Sequence, residues 1–118
     1  MCDPMMMPAG RYGRAALQSL GVWSAVQDHV ANADSIRAAL VYVARGEAPL
    51  GIVFDTDAAT DPGVRIVGVF PSNSHPPIVY PVAVTAVSKH VDAPKFLAFL
   101  RSTDAKAIFE RLGYTFLP

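Results

Sequence analysis

Glu47-Ala48-Pro49-Leu50-Gly51-Ile52-Val53-Phe54 is the stretch on which the fold of this chain turns. Leu50 to Phe54 is a short apolar run with β-branched members, which predicts a buried strand. Before it, Ile36, Ala39, Leu40 and Val43 form one helical stripe, with Asp34 or Ser35 placed to cap it and Gly46 to end it. After it, Asp55-Thr56-Asp57 starts a turn that caps a short helix over Ala58 and Ala59, and Asp61-Pro62-Gly63 is a strong turn signal. Helix followed by short apolar strand is the alternation of an α/β protein.

Working outward, the same alternation continues in both directions. Towards the start, Asp3 to Gly10 reads as an irregular loop, because Pro4 and Pro8 disfavour helix in the residues before them. From about Ala9, the residues Tyr12, Ala15, Ala16 and Leu20 follow a helical period, and Gly21 supplies the stop. Val22, Trp23 and Val26 predict a further helical turn. Towards the end, Arg65–Phe70 and Ile78–Val87 predict two more strands separated by the Pro71–Pro77 loop, with Pro81 marking an edge or a bend. Two helices follow. Asp92 is placed to cap the first, which buries Phe96, Leu97 and Leu100; Thr103 is placed to cap the second, which carries Ile108, Phe109 and Leu112 and stops at Gly113. The strands are too few for an independent doubly wound sheet, which points to an incomplete domain.

Bulk properties narrow the function more than they define it. The 118 residues suit one small domain, and 52% hydrophobic content is enough for a core. Ten basic and ten acidic residues give a formal net charge of zero, so nothing advertises nucleic acid or an acidic membrane as partner. An anion, if bound, is held by local dipoles and not by bulk charge. The single cysteine, Cys2, excludes an internal disulfide and a cysteine-based zinc cluster, and is expected to be an inert terminal thiol. No stretch approaches the ~20 apolar residues of a membrane span, and Met1-Cys2-Asp3-Pro4 has no signal-peptide character.

No catalytic constellation stands out. His29, His75 and His90 lack ligand-like spacing and are expected to be solvated or capping. Asp55 and Asp57 suit turn or cap duty better than a cation site. Met5 to Met7 suit an apolar loop better than a soft-metal site. There is no glycine-rich phosphate loop and no nucleophile elbow. Two helix starts remain, Pro8-Ala9-Gly10 and Asp34-Ser35-Ile36. A helix start has unpaired N–H groups and about half a positive charge, so it can hold an oxyanion without lysine or arginine; every helix has a start, and ordinary capping is the plainer reading of these two taken alone. Small residues such as Ala9 and Gly10 allow close approach to the backbone.

The order of segments is more specific than any of them alone. Asp3-Pro4, Pro8-Ala9-Gly10-Arg11-Tyr12 and Ala16-Leu17-Gln18-Ser19-Leu20-Gly21-Val22-Trp23 are followed by Ser35-Ile36-Arg37-Ala38-Ala39-Leu40 and Val43–Val53. Phe70-Pro71, Ser74-His75, Tyr80-Pro81-Val82-Ala83 and Ala107–Tyr114 come after these. In this order the chain resembles the carboxyl-terminal half of the periplasmic molybdate-binding proteins of ABC transporters, which are type II periplasmic binding proteins. The resemblance implies a three-layer α/β/α fold with a mixed sheet, incomplete at its amino-terminal side. It implies that residues 1–60 are the latter part of the second lobe and that residues 61–118 return to the first.

The resemblance also implies a function. A two-lobed, non-enzymatic protein closes on molybdate or tungstate and delivers it to an ABC permease in the inner membrane, with no cofactor. The ligand-binding positions map onto the backbone N–H groups of Ala9 and Ile36, supported by Pro8, Gly10 and Ser35, and onto position 54. There the family's tyrosine hydroxyl is replaced by Phe54, which keeps the shape and loses the donor, at a cost of about 1–3 kcal/mol. The first lobe's serine-bearing loops have no counterpart here, so the expected partners include the missing amino-terminal half or a second copy. Two alternatives stay open: a self-associating fragment that binds no ligand, and a binding protein for another oxyanion such as sulfate.

Overall fold

Three glycines expected as helix stops end their helices by one device in the computed structural model, which describes residues 1–117. Helices α1 (Pro8–Ser19), α2 (Trp23–Val26), α3 (Ile36–Ala44), α4 (Asp55–Ala58), α5 (Ala93–Leu100) and α6 (Thr103–Arg111) follow in order, with a 3-10 turn at Gln27–His29. Gly21, Gly46 and Gly113 stand just past α1, α3 and α6 with φ of 73°, 73° and 88°, a region open to glycine at no steric cost. At the end of α3, Gly46 N–H donates to Val43 O at 2.9 Å and Glu47 N–H to Tyr42 O at 2.8 Å. Such paired bonds satisfy carbonyls that a helix end otherwise leaves open. The same pair recurs after α1 and α6.

Helix starts follow the sequence less closely. Ser35 caps α3, its Oγ accepting from Ala38 N–H at 3.1 Å. At α6 the cap is Ser102, whose Oγ accepts from Ala105 N–H at 3.2 Å, and Thr103 is already the first helical residue. Asp92 precedes α5 but does not cap it with its side chain. Its backbone is helical (φ −95°, ψ −7°), whereas a side-chain cap needs an extended residue. The Asp92 carboxylate pairs instead with Lys95 Nζ at 2.9 Å. Asp55 and Asp57 lie inside the first turn of α4, with Phe54 at the cap position.

The three expected strands are the main departure. Among the described residues no strand is formed, and 50–54, 65–70 and 78–87 carry no regular secondary structure. A strand exists only through hydrogen bonds to a neighbour, and these runs find no ladder partner among the described residues. Their apolar side chains stay outside a core, with Val69 74% and Val87 85% exposed.

The chain forms two compact units. In the first, Met1–Pro77, residues 1–3 run beside residues 31–33 through a parallel bridge between Cys2 and Ala33. Cys2, Ala9, Ala16, Ala33, Ala39 and Leu40 form its small buried core. Cys2 is therefore packed and not a loose terminal thiol, and burial pushes its pKa up, which keeps it protonated and unreactive. Arg14 stacks its guanidinium 5.3 Å over the Trp23 ring, tying α1 to α2. Asp61-Pro62-Gly63 turns as expected, with Asp61 Oδ1 accepting from Gly63 N–H at 2.8 Å. Ser74 closes the next loop by donating to Pro71 O at 2.6 Å.

The second unit, from Ile78 onwards, holds α5 and α6. Phe109 packs edge-on to Tyr114 at 6.2 Å between ring centroids, and Tyr114 to Tyr80 at 5.9 Å. The expected burial on α5 is not reached: Phe96 is 60% exposed, and Leu97 and Leu100 are half-buried. Among the described residues no helix is long and apolar enough to cross a membrane.

Candidate functional site

The paired segments of the first unit bring its two important helix starts to one edge. Ala33 N–H donates to Met1 O at 2.9 Å and Asp3 N–H to Ala33 O at 3.3 Å, so both segments run in the same direction. The first continues through Pro4–Met7 into α1 and the second through Asp34–Ser35 into α3. Helices that follow neighbouring parallel segments begin at the same edge, which is where open α/β proteins bind ligands.

A third segment lies against both helices. A Cβ placed on Gly13 of α1 would come within 2.9 Å of Ile52 Cγ2, and one on Gly51 within 2.8 Å of Val43 Cγ2 in α3. Glycine at both positions is what lets residues 51–52 approach so closely. The segment ends at Phe54, whose ring centroid is 6.5 Å from that of Tyr12, in the second turn of α1. Ala9, Ile36 and Phe54 thus belong to three stretches that meet in one unit.

The electrostatics of the starts differ in a useful way. Met7 caps α1 and has no side-chain acceptor to offer, Pro8 has no N–H, and neither α1 nor α3 carries an acid in its first turn. Among the described residues, the N–H groups of Ala9, Gly10, Ile36 and Arg37 have no acceptor. By contrast α4 holds Asp55 and Asp57, and α6 holds Asp104, in the first turn. Those carboxylates already sit at the positive ends of their helices. The α1 and α3 starts carry no such carboxylate.

The supporting residues have separate tasks. Pro8 is exposed at the first helical position, where its fixed φ suits the helix. Ser35 is taken up with capping, and Ile36 behind it is half-buried. Gly10 is required by packing: a Cβ there would lie 2.3 Å from Asp3 O and 2.5 Å from Cys2 O. Met5 is exposed, its sulfur accepting from Arg14 Nη1 at 3.2 Å and its carbonyl from Arg11 Nη2 at 3.2 Å.

Two neighbours of the site were not singled out by the sequence pattern. Tyr12 fitted the helical period of a core residue, and His75 had the look of a solvated loop residue. Their rings meet in a T-shape at 6.1 Å, so Phe54, Tyr12 and His75 form a row of three rings. Tyr12 standing three positions after Ala9 was the available clue. A separate shallow groove, lined by Arg37, Leu40, Val41, Asp57, Thr60, Asp61 and Pro62, runs along α3 and α4 and includes none of Ala9, Ile36 or Phe54.

The family model for bacterial extracellular solute-binding proteins matches residues 1–115. The chain belongs to that family. Within it, the chain is 42% identical to the molybdate-binding protein ModA of Escherichia coli over 96% of its own length. It is 43% identical to the molybdate-binding protein ModA of Haemophilus influenzae over the same share. A putative ABC transporter substrate-binding lipoprotein of Bacillus subtilis is 36% identical over 95% of the chain. The chain spans 44% of the length of each of these relatives. The resemblance drawn from the ordered motifs is matched by this similarity over 96% of the chain.

Proposed function

We propose that this chain contributes part of the anion site of a molybdate-capturing protein, in which the N–H groups of Ala9 and Ile36 donate to molybdate or tungstate. What supports this reading most directly is the pair of acid-free, unsatisfied helix starts at one edge of the first unit. The similarity to two molybdate-binding proteins supplies the ligand class. The role is capture in the periplasm and delivery to an ABC permease in the inner membrane, with no catalysis and no cofactor. Residues 1–60 belong to the second lobe and 61–118 return to the first. In the full α/β/α fold the runs 50–54, 65–70 and 78–87 join a mixed sheet, with partner strands and further oxyanion donors from sequence corresponding to the rest of the relatives' length.

The test is removal of one donor without disturbing its helix. Ile36 is the first residue of α3 and follows an extended Ser35 (φ −157°, ψ 164°), a geometry that accepts proline at position 36. In Ile36→Pro the N–H is gone, and one charge-assisted bond of about 1.5–3 kcal/mol is lost, roughly a ten- to hundredfold weakening. Calorimetric titration with molybdate, tungstate and sulfate reads both the loss and the selectivity. Equal molybdate binding by wild type and Ile36→Pro would remove the helix-start site from consideration. Stronger binding of sulfate would keep the site and change its ligand.

A second reading has an observation of its own. Exposed valines at 67, 69, 82 and 87 leave apolar runs uncovered, and uncovered strand-forming runs pair with other chains. On that reading the chain self-associates and binds no anion. Sedimentation with and without molybdate separates the two: an assembly indifferent to molybdate favours self-association alone.

A further inference from the structure

We propose that Met5 is a modification site: oxidised to the sulfoxide, it is held by the Arg14 guanidinium and ties the Pro4–Met7 turn more firmly to α1. Arg14 is a cation short of acceptors. Its Nη1 donates to the Met5 sulfur at 3.2 Å, and a thioether is a weak acceptor. Among the described residues no carboxylate pairs with Arg14, and its Nε is buried without a hydrogen-bond partner. The guanidinium is also placed, since it lies 5.3 Å over the Trp23 ring. Stacking uses the face of a guanidinium and hydrogen bonding uses its plane, so a better acceptor at Nη1 leaves the Trp23 contact intact.

Met5 is 64% exposed and so is open to a reagent. Its backbone is anchored on both sides, the N–H donating to Asp3 Oδ1 at 2.7 Å and the carbonyl accepting from Arg11 Nη2 at 3.2 Å. The flexible thioether therefore adjusts from a fixed base. A peroxide supplies the chemistry. The sulfur lone pair forms a bond to one peroxide oxygen, the O–O bond breaks, and with hydrogen peroxide the other oxygen leaves as water, carrying both protons. Sulfur loses two electrons and the peroxide gains them. The new oxygen carries partial negative charge one bond beyond the sulfur, where it accepts a charge-assisted bond from Nη1. Sulfoxide formation ordinarily disrupts a core by making an apolar side chain polar. Met5 stands outside the core, so that cost is absent and the gain at Arg14 decides the sign. Met6 is 75% exposed as well, but among the described residues its sulfur meets no donor. Cys2 is buried and is spared.

The experiment treats the 118-residue chain with hydrogen peroxide, locates the added oxygen by fragmentation mass spectrometry, and compares urea midpoints before and after. The combined variant Met6→Leu, Met7→Leu keeps Met5 as its exposed methionine, and Met5→Leu is the counterpart. In the first, Met5 takes up one oxygen and the midpoint rises by roughly 0.3 M, the effect of one modest hydrogen bond. In Met5→Leu, peroxide leaves the midpoint unchanged or lowers it. Met5→Gln needs no oxidant, because its amide oxygen is a stronger acceptor than sulfur. It unfolds at higher urea than Met5→Leu, and the difference disappears when Arg14→Leu is added to both. In the 15N-labelled chain, the Arg14 Nη protons exchange more slowly with water once Met5 is oxidised, which reads the contact without altering Arg14. A midpoint that stays or falls on oxidation of Met5 overturns the proposal, as does a Met5 that resists peroxide. So does a Met5→Gln chain no more stable than Met5→Leu, an advantage that survives Arg14→Leu, or Nη exchange that oxidation does not slow.

Discussion

Replacing Gly10 with alanine is the sharpest test of how the α1 start is held. An added Cβ would sit 2.3 Å from Asp3 O, 2.5 Å from Asp3 C and 2.5 Å from Cys2 O. These distances are an ångström or more inside the ~3.5 Å of an ordinary contact. All three atoms are backbone, so no side chain can swing aside. Asp3 O already accepts from Met7 N–H at 2.9 Å, and Asp3 N–H donates to Ala33 O at 3.3 Å. Moving this segment therefore loosens both the turn into α1 and the bridge to Ala33. Overpacking of this kind costs about 1–3 kcal/mol, and losing one hydrogen bond adds about 1 kcal/mol. Alanine's better helix propensity returns at most about 1 kcal/mol. Gly10→Ala should lose about 1–3 kcal/mol net. Gly13→Ala is the control, since its Cβ would meet side-chain methyls, Ile52 Cγ2 and Met1 Cε, each at 2.9 Å. The mobile methionine end yields easily, and helix propensity offsets much of the remainder. Urea unfolding followed by circular dichroism, compared by midpoint at constant slope, gives both values. Equal losses in the two variants, or a Gly10→Ala protein as stable as wild type, would refute the close-packing argument and with it the placement of α1 against residues 2–3.

Three further outcomes are expected. Ser35→Ala should destabilise the chain by about 1 kcal/mol, because its Oγ caps Ala38 N–H. Asp92→Ala should change stability little, since its ion pair with Lys95 is exposed; thermal melts of both variants check the contrast, and equal losses would contradict it. Cys2 should resist a thiol reagent in the native chain and react quickly in urea, and rapid native labelling would show that the first residues do not pack. Its pKa is raised by burial, so its contribution to stability is intact below the ordinary thiol range. That contribution falls as pH rises from the ordinary value towards the raised folded one, because the unfolded thiol ionises first; a Cys2→Ser variant, measured across that range, should not show the fall.

Local chemistry alone determined most of the helices. Glycine's access to positive φ made Gly21, Gly46 and Gly113 legible as stops, and the hydroxyl of Ser35 made it a candidate cap, because each acts on backbone groups within a few residues. Where two neighbours had the same chemistry the outcome was decided by backbone conformation: Ser102 is extended and caps α6, while Thr103 next to it has entered the helix. The runs 50–54, 65–70 and 78–87 have strand composition, but composition provides no partner, and a strand is a property of two segments. The family was legible too, because the order of many short motifs survives without any coordinates.

What only the tertiary structure decided is which distant residues share a place. The bridge between Cys2 and Ala33 sends α1 and α3 off from the same edge, and no periodicity in the sequence records that pairing. Gly10 looked like room for a ligand and is room for the backbone of Cys2 and Asp3, since an empty Cβ position says nothing about what fills it. Tyr12 matched a core stripe equally well whether it faced an aliphatic interior or the rings of Phe54 and His75. Sequence fixes each residue's local preferences, whereas the environment of a side chain is set by chain segments tens of residues away, and only their packing brings them together.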